Sequence, residues 1–581
     1  MNKKEIINHL ERIAVYMEIK GENTFKISAY RKAAQALEND ERSINDIEDV
    51  AKLSGIGKGT AGLINEVKEH GDSELLQTLK EEIPEGLLPL LRLPGLGGKK
   101  IGKLYQELGI TNAADLKKAC EDKQIRELAG FAAKSEEKIM KALEEMGSRP
   151  ERLPIPLMLK MADSFEEKLA AVEGMHRYAR AGSLRRLEET VKDMDYIIST
   201  DNPARVKEQI KAFSGISSVI ADGDTKLSLE LEGEEYPVQV DVRMIEDEAF
   251  ATTLHHFTGS KDHNVKMRQL AKSNGERISE YGIENVESGD VQTFTDEAAF
   301  FGYYGMQYIP PEARAGKDEL DVYSNPREDL TLPLIRGDMH MHTTWSDGAQ
   351  SVEEMAEEAR KRGYEWIAIT DHSKFLRVAH GLDEDRILRQ IEEIKTVNEK
   401  YTDLQIFAGI EMDIRPDGIL DIEDNVLEQL DIVIASIHSS FSQERSVIME
   451  RFESALTSPH VDLIAHPTGR LIGRRPGYDA DLPKLIKRAA ETGTALELNA
   501  NPNRLDLSAE WLKKAAEAGV ALAVNTDAHN PEMMDDMEIG TGIARKAMLL
   551  PGQILNTLTA AELTDYLRRK KTNAGFNKKG R

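Results

Sequence analysis

Cysteine is nearly missing from this sequence: one residue, Cys120, in a chain of 581. A single thiol excludes an internal disulfide framework, fits a reducing cytosol, and reads as a small buried apolar residue. Long apolar runs are missing too. No stretch reaches the roughly 20 residues that span a bilayer, and the opening MNKKEIINHLERI is charged and helical, unlike a secretion signal. Nor is there an excess of positive charge, since 102 acidic residues against 76 basic ones give a net charge of −26. Taken as an average, that argues against nucleic-acid binding, but binding depends on a local basic stripe rather than on the sum. Affinity for DNA would then come from local Lys and Arg, backbone N–H groups and metal bridges, and would fade quickly with salt. A hydrophobic fraction of 40% supports globular folding, and the length requires several domains.

The stretch 182–195 carries the first chemistry. A glycine–serine turn (Gly182, Ser183), an arginine pair ending in Arg186 and a helical run lead to Asp193-x-Asp195 and an apolar strand. Alternation along a strand puts Asp193 and Asp195 on one face, about 6–7 Å apart. Asp241, in the alternating run Val238-Gln-Val-Asp-Val, would deliver a third carboxylate to the same place. Three converging carboxylates do not all stay ionised unless divalent cations neutralise them. Such a site suits in-line phosphoryl transfer. Gly182 and Ser183 would offer N–H groups to phosphate oxygens, and Arg186 a bidentate clamp. An isolated Asp-x-Asp would be a solvated strand end; the turn, the arginines and the later strand aspartate together favour the catalytic reading.

Upstream, Leu53-Ser-Gly-Ile-Gly-Lys and Leu93-Pro-Gly-Leu-Gly-Gly-Lys repeat one pattern between amphipathic helices. Their glycines, Gly55 and Gly57, Gly95 and Gly97, permit a tight turn whose N–H groups face a DNA phosphate, as in helix–hairpin–helix motifs. Downstream, eight of the fourteen histidines lie after residue 335. His340 and His342 share a strand face and Asp347 follows them; His372, Glu411, His438, His466, Asp527 and His529 fall at the ends of successive apolar runs. Helical runs separate these, which is how a (β/α) barrel builds an active site. Nine such groups exceed what one ion can use and imply two or three metals. Arg470, Arg474 and Arg475 read equally as phosphate receivers or as a solvated basic loop, and His380 and His460 as structural residues.

In combination, Gly182-Ser-x-Arg-Arg, Asp193-x-Asp195, the lone Asp241 and Phe257-Thr-Gly-Ser resemble the family X DNA polymerases. The wider chain resembles their bacterial branch, in which the polymerase is fused to a PHP (polymerase and histidinol phosphatase) domain. The resemblance implies a multidomain α+β and α/β fold: helix–hairpin–helix modules, a family X palm and thumb, and a C-terminal PHP (β/α)7-type barrel. Its expected parts are an N-terminal helical DNA-binding domain (1–80), a fingers-like helical domain (81–149), a palm (150–245) and a thumb or nucleotide-selecting subdomain (246–315). A linker (316–335), the PHP nuclease domain (336–570) and a basic tail (571–581) follow.

The same resemblance assigns roles. Asp193, Asp195 and Asp241 would be catalytic in the palm, and Glu411, His340 and His342 in the barrel. Arg152 would touch the triphosphate, Phe257 and Gly259 the incoming sugar, and Asn264 and Arg268 the nascent base pair and template. Mg2+ or Mn2+ is expected in the palm and two or three divalent ions (Mn2+, Zn2+ or Fe2+) in the barrel. The implied function is gap-filling synthesis of the base-excision-repair kind with a 3′–5′ exonuclease, extending in some members to abasic sites. Gapped or primer–template DNA and dNTPs would be the partners of a cytoplasmic monomer. Two positions depart from the family: Leu63 stands where lyase-active members carry an imine-forming lysine, and His256 where a tyrosine is common. The competing expectation is a PHP phosphoesterase tethered to DNA by an inactive polymerase module.

Overall fold

The computed structural model describes residues 3–38, 44, 47, 49–93, 96–147, 150–233, 235–325 and 335–568. Gly95 and the basic tail at 571–581 lie outside the described residues. Two compact units are formed, one from residues 1–150 with 344–351 and 376–382, the other from the rest.

The described residues of the first unit between 3 and 147 form helices and the turns between them. Its helices bury one stripe each: in Lys58–His70 the inward residues are Thr60, Ala61, Leu63, Ile64 and Val67, at helical spacing. Among the described residues an apolar cluster runs from Ile6 to Leu143. Leu63 belongs to it, so the position expected to carry an amine in lyase-active relatives is a core residue here. Cys120 is buried in the same cluster, and burial pushes its thiol up to about 11. Gly57 and Gly97 cap the starts of Lys58–His70 and Gly98–Leu108. Gly55, at φ +104°, supplies the left-handed turn before the first of these helices.

The second unit begins with a five-stranded sheet. Its spatial order is Arg177–Arg180, Met194–Ser199, Val238–Ile245, Lys226–Leu231, Ile216–Asp222. Val238–Ile245 alternates buried and half-buried residues without a break, so one face packs inward and the other carries Asp241. Helices Phe250–Thr258, Lys261–Ser273 and Glu297–Tyr303 follow, with a core around Met267, Phe300, Phe301 and Ile309. Of the stretch read as a linker, 326–334 lies outside the described residues. Its earlier part is held in place: helix Glu319–Tyr323 is anchored by Glu319, which accepts from the N–H groups of Gly316 and Lys317 and from His263.

The remaining chain winds seven parallel strands in strict sequence order, from Gly337–Asp338 to Leu522–Asn525. A parallel bridge from Met341 to Ala528 joins the first strand's end to the last, nearly closing the ring. Helices such as Val352–Lys361, Glu384–Asn398 and Leu482–Thr492 connect the strands. The strands read as continuous apolar runs because helices and barrel interior cover both faces. Among the described residues no helix is long and apolar enough to cross a membrane.

Trp366 is fully buried in the barrel's apolar cluster, and its indole N–H donates to the Leu558 carbonyl at 2.8 Å. Trp366→Ala removes the largest side chain of that cluster and should destabilise the barrel by about 3–5 kcal/mol. Calorimetry of the full chain checks this; an unshifted melting profile would refute the packing described.

Candidate active sites

The palm site is set by strand register. Met194–Ser199 and Val238–Ile245 pair in parallel with Asp195 directly beside Asp241, so both side chains leave the same face. Burial first, then the charges of Asp193 and Asp241, push the Asp195 carboxyl up to about 7. Asp193 is raised by burial and by Asp241. Asp241 goes the other way: burial is outweighed by hydrogen bonds from Lys226 (2.8 Å) and Gln239 (3.0 Å), which hold it below the usual range. Lys226 hydrogen-bonds Asp241 alone; the charges of Lys192 and Arg152 near Asp193, and of Lys226 and Arg243 near Asp195, do not outweigh burial, and an all-oxygen donor set of this kind fits hard divalent cations.

Gly182 adopts φ +64°, and a Cβ there would run into Asp195 Oδ2. The turn and the carboxylate are therefore in direct contact. Ser183 follows in the short helix Gly182–Arg185. Arg186 is mostly buried and donates to the Thr258 carbonyl at 2.7 Å. Arg152 donates to the carbonyl and hydroxyl of Thr190, at 2.5 and 3.1 Å. Phe257 lies under the Arg243 guanidinium, 4.1 Å from its ring centre. Gly259 faces Asn264, whose amide donates to the His256 carbonyl at 2.8 Å while Oδ1 is buried without a hydrogen-bond partner among the described residues. Arg268 is exposed on the next helix.

Arg185 entered the sequence motif only as one of an arginine pair, and Glu297 and Arg314 carried no motif. Arg185 donates to Thr258 Oγ1 (2.8 Å) and pairs with Glu297 (2.7 Å). Glu297 also pairs with the fully buried Arg314. Burial opposes its ionisation, but the two guanidiniums prevail and hold the Glu297 carboxyl down at about 2.

In the barrel, Glu411 is the centre. His372 Nδ1 lies 2.7 Å from its carboxylate, His466 Nε2 2.9 Å, His438 Nε2 3.2 Å, His340 Nε2 3.4 Å and His342 Nε2 3.7 Å. Asp527 lies 3.0 Å from His342 and 3.4 Å from His340. His529 stacks on His342 with ring centres 4.2 Å apart. His340, His342 and Asp527 form one compact set of donor atoms, and His372, Glu411 and His438 another. Asp347 is half-buried in the 344–351 segment, which belongs to the first unit.

Burial opposes charge on Glu411, yet the surrounding histidines, His438 and His372 foremost, hold it well below the usual carboxylate range. Burial and the charges of His529 and His372 drive His342 down to about 3. His340 Nε2 and His342 Nδ1 are buried with no hydrogen-bond partner among the described residues. Inward-facing imidazole lone pairs around carboxylates fit divalent metals of the imidazole-accepting kind. His466 and Asp527 hold left-handed backbone, φ +28° and +55°, a conformation that concentrates at functional sites.

Behind the donors stands Glu497, also missed from sequence. His340 Nδ1 donates to it at 2.8 Å, the His466 N–H at 2.6 Å and Asn525 at 2.9 Å. The signal was present: a lone carboxylate inside the fully buried strand Ala495–Asn499. Asp413 supports His438 Nδ1 in the same way, at 3.1 Å. Arg470 is not a free solvated group. Its guanidinium pairs through both terminal nitrogens with Glu189, at 2.8 and 3.1 Å.

Four family models match the chain: a helix-hairpin-helix domain (residues 1–73), a SAM-like helix-hairpin-helix tandem (87–145), a DNA polymerase beta thumb (253–315) and a PHP domain (338–529). Among curated relatives, the DNA polymerase/3'-5' exonuclease PolX of Bacillus subtilis is 56% identical over 98% of this chain and 100% of its own length. A probable phosphatase of Thermoanaerobacter sp. is 34% identical over 28% of this chain and 63% of its own length. One from Acetivibrio thermocellus is 35% identical over 28% and 64%.

Two predictions follow from the buried carboxylates. Glu497→Gln should weaken metal retention about 10- to 100-fold, read as metal content after dialysis against defined Mn2+; unchanged content would remove Glu497 from the support of His340. Glu297 has a folded pKa of about 2 against an ordinary 4.5. Its stabilisation is therefore complete above about 4.5 and lost as pH falls towards 2. Glu297→Gln, leaving Arg314 buried with half its partner, should cost about 3–5 kcal/mol at pH 7. In thermal melts that deficit should shrink as both chains are taken down to pH 2; a deficit independent of pH would refute the pairing.

Proposed function

This chain belongs to the bacterial family X DNA polymerases that carry a C-terminal PHP domain, and from that membership we propose a two-site DNA repair enzyme. It is a DNA-directed DNA polymerase that fills short gaps and a 3′–5′ exonuclease that trims primer ends. The observation that supports this best is the coexistence of two cages: a register-matched aspartate pair beside a glycine turn, and a carboxylate ringed by five histidines.

Asp193, Asp195 and Asp241 would hold Mg2+ or Mn2+. His340, His342, Asp347, His372, Glu411, His438, His466, Asp527 and His529 would hold two or three ions (Mn2+, Zn2+ or Fe2+). Divalent cations, when bound, activate the attacking oxygen and neutralise the departing phosphate at each site. The chain's own residues do the placing. Gly182, Ser183, Arg186 and Arg152 receive the triphosphate, while Phe257 and Gly259 pack on the sugar. Asn264 and Arg268 face the nascent pair. In the barrel, Glu497 holds His340 by Nδ1 and so turns Nε2 into the cage.

Gly55, Gly57, Gly95 and Gly97 mark the turns that grip the DNA backbone without reading sequence. With Leu63 in the core, that helix offers no imine-forming amine at this position, and we assign it no efficient lyase. Substrates are gapped or primer–template DNA and dNTPs, bound by a cytoplasmic monomer. The barrel's likeness to proteins named probable phosphatases favours one other reading, a phosphoesterase tethered to DNA. It requires free phosphate monoesters to turn over faster than DNA ends.

Labelled gapped DNA with dNTPs and Mn2+ or Mg2+ separates these. Asp193→Ala should abolish extension and leave 3′ trimming intact, and His340→Ala should do the reverse. Survival of both activities in both variants would sink the site assignments.

A further inference from the structure

Four consecutive residues of the palm, Arg186, Leu187, Glu188 and Glu189, join the Gly182–Arg185 helix to the chain entering Asp193, and the barrel grips all four. Lys546, at the end of helix Asp536–Lys546, donates to the carbonyls of Arg186 (3.2 Å) and Leu187 (3.0 Å) and pairs with Glu188 (3.2 Å). An ammonium has three N–H donors, and here one tetrapeptide supplies three acceptors. The amine is largely buried, and burial lowers its pKa; only well-placed acceptors hold a charge there.

The same segment is fixed from two more directions. Leu187 adopts φ +50°, left-handed backbone that a residue bearing a side chain rarely takes. Its Cδ1 occupies the space that a Cβ on Gly542 would need, so it seats against a position without a side chain. Arg470 closes on Glu189 with two parallel bonds and is itself anchored by donating to the carbonyls of Arg504 and Leu505. Gly473 makes a comparable close approach to Pro154, whose strand partner is Thr190.

We propose that the PHP barrel, through Lys546, Gly542 and Arg470, positions the palm's nucleotide pocket, so that dNTP affinity depends on residues outside the polymerase domain. This rests on the reading of Gly182, Ser183 and Arg186 as the triphosphate site. Lys546 is a positioning residue: it fixes the Arg186 backbone, while Thr258 fixes that guanidinium from the thumb. Released from the barrel, the turn relaxes at Leu187, and Arg186, whose charge interacts with Asp195, loses its placement. Misplacement on the ångström scale costs up to about 100-fold in an oriented site.

The test is single-nucleotide incorporation of dATP on gapped DNA by the full chain with Mn2+, alongside 3′ trimming of single-stranded DNA. Lys546→Met should raise KM for dATP about 10- to 100-fold with kcat changed far less and trimming at the wild-type rate. Lys546→Arg, which keeps a donor for the two carbonyls, should recover most of the affinity. Glu189→Gln, a change in the palm that leaves the barrel intact, should raise KM in the same direction and decides the matter if Lys546→Met also loses trimming through misfolding. Wild-type KM in Glu189→Gln together with either wild-type KM or misfolding in Lys546→Met overturns the proposal. Asp193→Ala run in parallel keeps the failures apart: if it still extends primers, the palm reading falls, and if it does not, unchanged KM values count against the clamp alone.

Discussion

Buried negative charge without built-in neutralisation is the constraint around which this molecule is arranged. Desolvating a carboxylate is unfavourable by several kcal/mol unless a cation or hydrogen-bond donors compensate. The two sites meet the problem differently. In the palm, Lys226 compensates Asp241 and leaves Asp193 and Asp195 raised, Asp195 to about 7. In the barrel, histidines surround Glu411 so closely that it stays ionised despite complete burial. Oxygen-only and imidazole-rich surroundings favour different cations, so one chain can run two metal-dependent chemistries side by side.

Supporting side chains divide along the same line. Glu497 and Asp413 sit behind the barrel donors and fix which ring nitrogen of His340 and His438 points inward. Around the palm the support is charge pairing: Arg185 and Arg314 converge on Glu297 and tie the Gly182–Arg185 helix to the thumb. The segment 186–189 then joins palm to barrel through part-buried bonds from Lys546 to two carbonyls and through the ion pairs Lys546–Glu188 and Arg470–Glu189. Glycines at 182 and 542 allow these approaches; a methyl group at either would collide with its neighbour.

Much of this was legible in the sequence. The single cysteine is a buried core residue, the strand–helix alternation after residue 335 is a seven-stranded parallel barrel, and alternation around Asp195 and Asp241 put both on one sheet face. Residues spaced by strand or helix period can be placed from the chain alone because local geometry fixes where they point. Arg470 shows the limit. It read equally as a phosphate receiver or as part of a solvated basic loop, and it pairs with Glu189, 281 positions away.

Composition and motif spacing, then, determined the fold class, the two donor sets and the chemistry open to them, since these depend on residue type and short-range period. Which donors carry a supporting partner, which arginine is spent on structure, and that the turn after Gly182–Arg185 leans on a lysine 360 residues further along were decided only by the tertiary fold. Such contacts join segments whose separation along the chain carries no period, and only packing can bring them together.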